Sequence, residues 1–167
     1  MNVTLESAAE RRETVENLFQ LYVHDFADFW VTRQIELGED GRFPPYPPLA
    51  AYWSGEAGAE PWLIRADGEL AGFALIDRHS HSRQPVDFNM GEFFVARLYR
   101  REGVGHIAAL QAIGARRGQW EIAVARRNLP AQPFWRGVAA RAATGPVDEI
   151  DQDDDLWNGM ILRFRND

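Results

Sequence analysis

The sequence predicts an α/β domain built on a mixed β-sheet, and three observations support this fold class. The dipeptide Asp67-Gly68 separates two apolar runs at 62–66 and 70–77, and a turn of this kind joins antiparallel strands. Farther along, strand, glycine-rich turn, helix and strand signals follow one another, which predicts a parallel pair. A chain of 167 residues without an internal repeat or linker suits one domain, so we assign residues 1–167 to a single domain.

A long amphipathic helix is predicted near the start of the chain, over residues 8–30. Ser7 followed by Glu10 has the form of a capping box. Apolar residues then recur at 3.6-residue spacing from Val15 to Trp30.

A proline-rich segment follows at residues 43–48, where a helix interior and a central strand are both excluded. Two interpretations are open. The segment is either a rigid connector that packs Phe43 and Tyr46 on the core, or a wall over a substrate site. Residues 49–53 are expected to form a short helix behind it.

The second half of the chain alternates strand and helix signals, which brings the expected number of helices to about four. The predicted elements are a strand at 88–98, a helix that begins at Val104 and stops at Gly118, a strand at 120–125, a helix at 131–143, and strands at 147–150 and 157–164.

The composition excludes several classes of chemistry. The chain has no cysteine and its 18 basic residues are all arginine, which excludes a thiol nucleophile, a lysine Schiff base and a P-loop lysine. The net charge of −7 argues against nucleic acid as a partner. His79 and His81 are two residues apart, which would put both imidazoles on one face of a strand, as in some metal sites. A third ligand is not identifiable, so no metal is predicted. Without a signal peptide or a membrane-spanning run, we expect a cytoplasmic protein with no membrane partner.

The turn at residues 99–106 gives the clearest indication of a ligand site in the sequence. Gly103 and Gly105 let successive backbone N–H groups point into one concavity, and the helix N-terminus adds positive charge there. Arg100 and Arg101 can add charge-assisted contacts, so the turn predicts a diphosphate site. The alternative is an ordinary glycine turn beside solvated arginines. A Rossmann loop would need a third glycine in register, and a P-loop would need a lysine.

This turn resembles the acetyl-CoA pyrophosphate loop of the GNAT superfamily of N-acetyltransferases, whose signature is Arg/Gln-x-x-Gly-x-Gly/Ala. Residues 92–95 are similar to the end of the family's fourth strand, and residues 128–135 to its Asn-x-x-Ala-x-x-Phe-Tyr stretch. The order of the predicted elements agrees with that of the family over most of the chain. Within the family, the sequence looks like a bacterial subgroup of predicted acetyltransferases. The resemblance implies a mostly antiparallel sheet with a splayed central parallel pair, flanked by about four helices.

The resemblance also implies acetyl-CoA as the cofactor and a primary amine of a small molecule or peptide as the acceptor. Because the chain lacks cysteine, direct transfer to the amine is favoured over an enzyme thioester. The resemblance to the family also implies a homodimer. The implied cofactor-binding residues are Phe94, Val95, Ala96, Arg100, Arg101, Glu102, Gly103, Val104, Gly105, His106, Asn128 and Phe134.

The catalytic candidates are Glu92, Tyr22 and Trp135. Glu92 lies where the family often has its general base, and Asp25 is the second candidate. Trp135 replaces the family's tyrosine, and an indole N–H can donate a hydrogen bond but cannot act as an acid at neutral pH. Either Tyr22 or a loop tyrosine is the acid, or the thiolate leaves without one. This departure keeps open a second class of function, an inactive acyl-CoA-binding sensor or regulatory module.

Overall fold

One mixed sheet of seven strands organises the computed structural model, which describes residues 1–29 and 35–167. The strands are β1 (Val3–Ser7), β2 (Glu60–Ala66), β3 (Glu69–Asp77), β4 (Phe88–Val95), β5 (Gly118–Ala125), β6 (Asp148–Asp153) and β7 (Asn158–Asn166). The α-helices are α1 (Arg12–Phe26), α2 (Val104–Gly114) and α3 (Ala131–Ala142), and short 3₁₀-helices lie at Ala27–Phe29, Pro47–Trp53 and Arg97–Tyr99. The strand order is β1-β2-β3-β4-β5-β7-β6, in which β4-β5 is parallel and the other neighbours are antiparallel. The predicted fold class is confirmed.

The parallel pair at the centre of the sheet separates after a short contact. β4 and β5 pair only at Phe88–Trp120 and Asn89–Glu121. β4 nevertheless continues to pair with β3 as far as Val95. The edge of β4 that faces β5 therefore carries unpaired backbone groups beyond the splay, as expected.

A β-bulge at Gly91 decides which side chains of β4 face each layer. Leu75 pairs with Glu92 and Ile76 pairs with Met90, so Gly91 is the extra residue on β4. Met90 packs in the core cluster on the α2 and α3 side, whereas Glu92 contacts α1. Strict alternation would have placed Met90 and Glu92 on the same face.

The helices cover the two faces of the sheet and bury one apolar layer on each. Beneath α1, Phe19 packs with Phe73, Leu75 and Phe94. The opposite layer lies beneath α2 and α3 and is centred on Trp120, which is fully buried. Of the helices that the structure describes, none is long and apolar enough to cross a membrane.

The start of the chain differs from the prediction. Residues 3–7 form the edge strand β1, which pairs with β2, and the helix begins only at Arg12. The capping box is wrong because Ala8 N still donates to Pro61 O at 2.9 Å, so Ser7 ends a strand instead of capping a helix. α1 ends at Phe26, and the predicted helix end at Trp30 lies outside the described residues.

Two other predicted boundaries need correction. The strand predicted to reach residue 98 ends at Val95, because residues 97–99 turn into a 3₁₀-helix. α2 ends at Gly114 rather than at Gly118, which is the first residue of β5. The hairpin at Asp67-Gly68 is confirmed, since both residues have positive φ angles of 50° and 88° between β2 and β3.

Candidate active site

A cradle of backbone N–H groups forms between β4 and α2, at residues 101–106. Arg101 and Gly103 have positive φ angles of 66° and 85°, and Gly103 is the N-cap of α2. The N–H groups of residues 101–106 find no acceptor within the part of the chain that the structure describes. Successive free donors at a helix N-terminus form a concavity suited to phosphate oxygens. The structure therefore places the predicted diphosphate turn at the N-terminus of α2, and diphosphate binding there stays a prediction.

Gly105 brings this cradle close to β4 and α3. A Cβ at Gly105 would lie 3.5 Å from both the Val95 side chain and the Phe134 ring. His106 packs edge-on against the same ring, with 6.2 Å between the centroids. Val104 is fully buried and anchors the first turn of α2. The structure thus brings these predicted cofactor residues together around one turn.

Arg100 does not extend freely into the cradle. Its Nε donates to Val95 O at 2.6 Å, its guanidinium lies 5.5 Å from the centre of the Phe94 ring, and it forms an ion pair with Asp25. Arg97 also binds Asp25, at 2.9 Å. Both arginines therefore tie the end of α1 to the end of β4.

Asp25 is consequently a poor candidate for the general base. Burial alone would raise the pKa of Asp25, but its hydrogen bonds and ion pairs with Arg100 and Arg97 outweigh burial and lower it. A carboxylate held between two guanidinium groups accepts a proton only at acid pH.

Glu92 and Tyr22 form a hydrogen-bonded pair on the α1 face of the sheet. Tyr22 Oη donates to Glu92 Oε2 at 2.5 Å. Burial raises the pKa of Glu92 from its ordinary value of 4.5 to about 7; the negative charge of Asp77 adds to the rise, and the Tyr22 hydrogen bond opposes it. Burial and the same carboxylate raise the pKa of Tyr22 well above 10, so the phenol keeps its proton. The pair provides a proton acceptor poised near neutral pH.

The proline-rich segment contributes to both of the interpretations left open by its sequence. Phe43 packs on the core beneath α1, and its backbone N–H and C=O both bind the Gln20 side chain, at 2.7 and 3.2 Å. Tyr46 stacks on Phe19 yet stays 42% exposed. Burial, followed by the charges of Glu92 and Asp77, raises the pKa of Tyr46 to about 12. The segment is therefore an anchored connector whose Tyr46 also forms a wall beside Glu92.

The remaining candidates lie across the sheet from Glu92. Trp135 is buried among Phe93 and Phe134, with ring centroids 5.1 and 4.8 Å away. Asn128 precedes α3, where its backbone O accepts from Ala131 N at 3.2 Å. In the described residues, neither side chain contacts the pair of Tyr22 and Glu92. Trp135 therefore lies in the core on the α3 side of the sheet, and Asn128 lies in the loop between β5 and α3.

The ends of β4 and of its loop complete the predicted set. Phe94 is buried under α1, and Ala96 N donates to Ala71 O at 2.8 Å, so Ala96 continues the pairing with β3 by one bond. Arg101 and Glu102 are exposed at the rim of the cradle.

Sequence reasoning missed a second cluster next to Glu92. Asp77 Oδ2 accepts from Tyr52 Oη at 2.5 Å, and its Oδ1 accepts from Asn89 Nδ2 at 2.9 Å. A Cβ at Gly91 would collide with both Asp77 and Tyr52, so the bulge glycine makes room for this pair. The glycine within a strand pattern was the signal for a bulge.

A buried ion pair fixes the loop that connects β3 to β4. Glu121 and Arg163 lie 2.5 Å apart, and Glu121 also accepts from the backbone N of His81 and the hydroxyl of Ser82, at 2.5 and 2.6 Å. Burial alone would raise the pKa of Glu121, but the hydrogen bonds of His81, Ser82 and Arg163 lower it to about 2. The described residues include no group of three or more histidine and acidic side chains that could hold a metal ion.

A parallel strand pair that separates beside an amide-lined cradle can hold an extended ligand along the open strand edge and its diphosphate in the cradle. The model of the acetyltransferase (GNAT) family matches residues 15–138. The chain belongs to this family, and its cofactor is acetyl-CoA.

Solved structures with the same fold share little sequence with this chain. An acetyltransferase from Thermus thermophilus has a TM-score of 0.65 and 13% identity, over 99% of this chain and 97% of that one. A diaminobutyrate acetyltransferase from Paenibacillus lautus has a TM-score of 0.62 and 15% identity, over 99% and 95%. A PaiA N-acetyltransferase from Thermoplasma acidophilum has a TM-score of 0.61 and 13% identity, over 99% of both chains. A search of curated proteins found no match.

Proposed function

We propose that this protein transfers the acetyl group of acetyl-CoA directly to a primary amine of a small molecule or peptide. The observation that carries the proposal is Glu92, a carboxyl group with a pKa of about 7 on the strand that leads into the amide cradle. Acetyl-CoA, when bound, supplies an acetyl thioester activated for attack. The chain lacks cysteine to carry the acetyl group, so the amine itself is the nucleophile.

Glu92 takes the proton that the attacking amine loses. At pH 7 and above a large fraction of Glu92 is ionised, so Oε2 can accept that proton. Tyr22 Oη, hydrogen-bonded to Oε2, holds the proton needed by the leaving group. Because its pKa lies well above 10, Tyr22 gives this proton up only as the proton on Glu92 replaces it. The pair therefore acts as one proton relay.

The cofactor-binding roles follow from the same geometry. The free N–H groups of residues 101–106 would hold the diphosphate, and Arg101 at the rim would add charge. Val95 O already accepts from Arg100 Nε, and the remaining open edge of β4 beyond Asn89 would pair with the amides of the pantetheine arm, as an added strand does. Two of the similar structures were solved with coenzyme A, which supports this assignment.

Turnover of an amine panel tests the proposal. We expect thiol release from acetyl-CoA in the presence of at least one primary amine, and a loss of about 100-fold in kcat in Glu92→Gln, the typical contribution of a general base. Glu69→Gln, which changes an exposed carboxylate of β3, is the matched control and should keep full activity. An unchanged kcat in Glu92→Gln would refute the role of Glu92.

Trp135 favours a second candidate function, an acyl-CoA-binding sensor or regulatory module. Its indole is 8% exposed and cannot supply a proton. Calorimetry with acetyl-CoA separates the two functions when it is combined with the amine panel. Cofactor binding without acetylation of any amine would support the sensor, and a lack of binding at near-millimolar cofactor would refute both.

A further inference from the structure

Two carboxyl groups lie next to each other at the bulge, on the face of the sheet that α1 covers. Asp77 pairs with Asn89, and Leu75 pairs with Glu92, so Asp77 and Glu92 are diagonal neighbours on adjacent strands. Diagonal neighbours in a regular antiparallel pair lie about 7–8 Å apart between Cα atoms, and here the extra residue Gly91 lies between the two positions. One molecule with a short aliphatic chain can span this separation.

Neither carboxyl group forms an ion pair within the described residues. Asp77 accepts from Tyr52 Oη, Asn89 Nδ2 and the backbone N of His79, at 2.5, 2.9 and 2.8 Å, and all three donors are neutral. Glu92 accepts from the neutral hydroxyl of Tyr22. Elsewhere in the described chain, the buried carboxylate of Glu121 has an arginine partner. A cation that enters beside such a carboxylate is attracted more strongly than it would be in water, because the surrounding dielectric constant is lower.

A buried oxygen at the same position lacks a donor. Asn89 is 0% exposed, and its Oδ1 has no hydrogen-bond partner. The hydrogen bond from Asn89 Nδ2 to Asp77 Oδ1 orients the amide and leaves Asn89 Oδ1 without a partner. Oδ1 is thus an acceptor that calls for an N–H or O–H donor beside a carboxylate.

An ammonium group meets both requirements, since it carries positive charge and three N–H donors. We propose that the acceptor is a short aliphatic diamine. One amino group is acetylated at Glu92, while the other is held as an ammonium by Asp77 and Asn89 Oδ1. Tyr52 donates to Asp77, and Tyr46 lies close enough to feel the charges of both Glu92 and Asp77. This inference rests on the proposed function, because it specifies the acceptor of that reaction.

Calorimetry at pH 7.5 with two probes, 1,4-diaminobutane and n-butylamine, tests the second contact without turnover. The probes share a four-carbon chain and differ in the second amino group. The intact protein should bind the diamine at least tenfold more tightly, the effect of about one charge-assisted hydrogen bond. Asp77→Asn keeps an oxygen for Tyr52 but removes the charge, so its preference should fall to within twofold.

Equal binding of the two amines by the unmodified protein would overturn the inference, and so would a preference that persists in Asp77→Asn. The comparison on the unmodified protein stands even if the variant fails to fold. Acetylation assays with the same probes keep the two proposals apart. Tight diamine binding without acetylation would support the ammonium site and count against acetyl transfer, whereas equal binding with acetylation of both amines would do the reverse.

Discussion

Replacing the proposed general base is expected to stabilise the folded protein above neutral pH. In Glu92→Gln the side chain keeps its shape and can still accept the Tyr22 hydroxyl, but it has no charge to bury. The folded pKa of about 7 exceeds the ordinary value of 4.5, so the folded state binds the proton more tightly than the unfolded chain. The free energy of unfolding therefore falls as pH rises from about 4.5 through 7. The difference between the two pKa values corresponds to about 3 kcal/mol of the free energy of unfolding.

Urea unfolding followed by tryptophan fluorescence, at pH 5 and at pH 8, measures this effect. Relative to the unmodified protein, the free energy of unfolding of Glu92→Gln should be raised by about 2 kcal/mol more at pH 8 than at pH 5. Glu69→Gln is the control, and its effect on the free energy of unfolding should be small at both pH values, because Glu69 is exposed. A gain for Glu92→Gln that is equal at the two pH values would show that Glu92 is not held in an environment that disfavours its charge.

Three further predictions concern the cradle, the buried ion pair and the proton relay. Gly103→Ala should weaken acetyl-CoA binding by at least tenfold in calorimetry. Gly68→Ala, with a similar positive φ of 88° but a position in the β2–β3 hairpin outside the cradle, should not change it. Arg163→Met should lower the free energy of unfolding at pH 7 by about 3–5 kcal/mol, because it leaves Glu121 charged and buried, and the double variant with Glu121→Leu should recover most of this loss. Tyr22→Phe should raise the midpoint of the pH–rate profile above 7, because the hydrogen bond that lowers the pKa of Glu92, the proposed general base, is lost. A midpoint that stays the same or falls would contradict the proposed relay.

Local patterns in the sequence were enough to predict most elements of the fold. The Asp67-Gly68 turn and the strand, glycine turn, helix and strand order fixed an antiparallel hairpin and a parallel pair, because both signals depend on neighbouring residues. The edge strand at residues 3–7 was missed, since a five-residue strand has too short an alternation to stand out. The Ser7 capping box failed for a non-local reason, namely that Pro61 of β2 binds the backbone of Ala8.

One part of the candidate site also follows from local sequence, and another part depends on the tertiary structure. The sequence by itself determined the cradle at residues 101–106, because a glycine turn at a helix N-terminus exposes its own N–H groups whatever surrounds it. The absence of cysteine also excluded an acetyl-cysteine intermediate from the sequence alone. Only the tertiary structure decided the surroundings of each candidate carboxylate. The bulge at Gly91 turns Glu92 toward Tyr22 and Asp77, while α1 holds Asp25 between two arginines. The pKa of each carboxyl group depends on burial and on charges from distant parts of the chain, which local sequence does not encode.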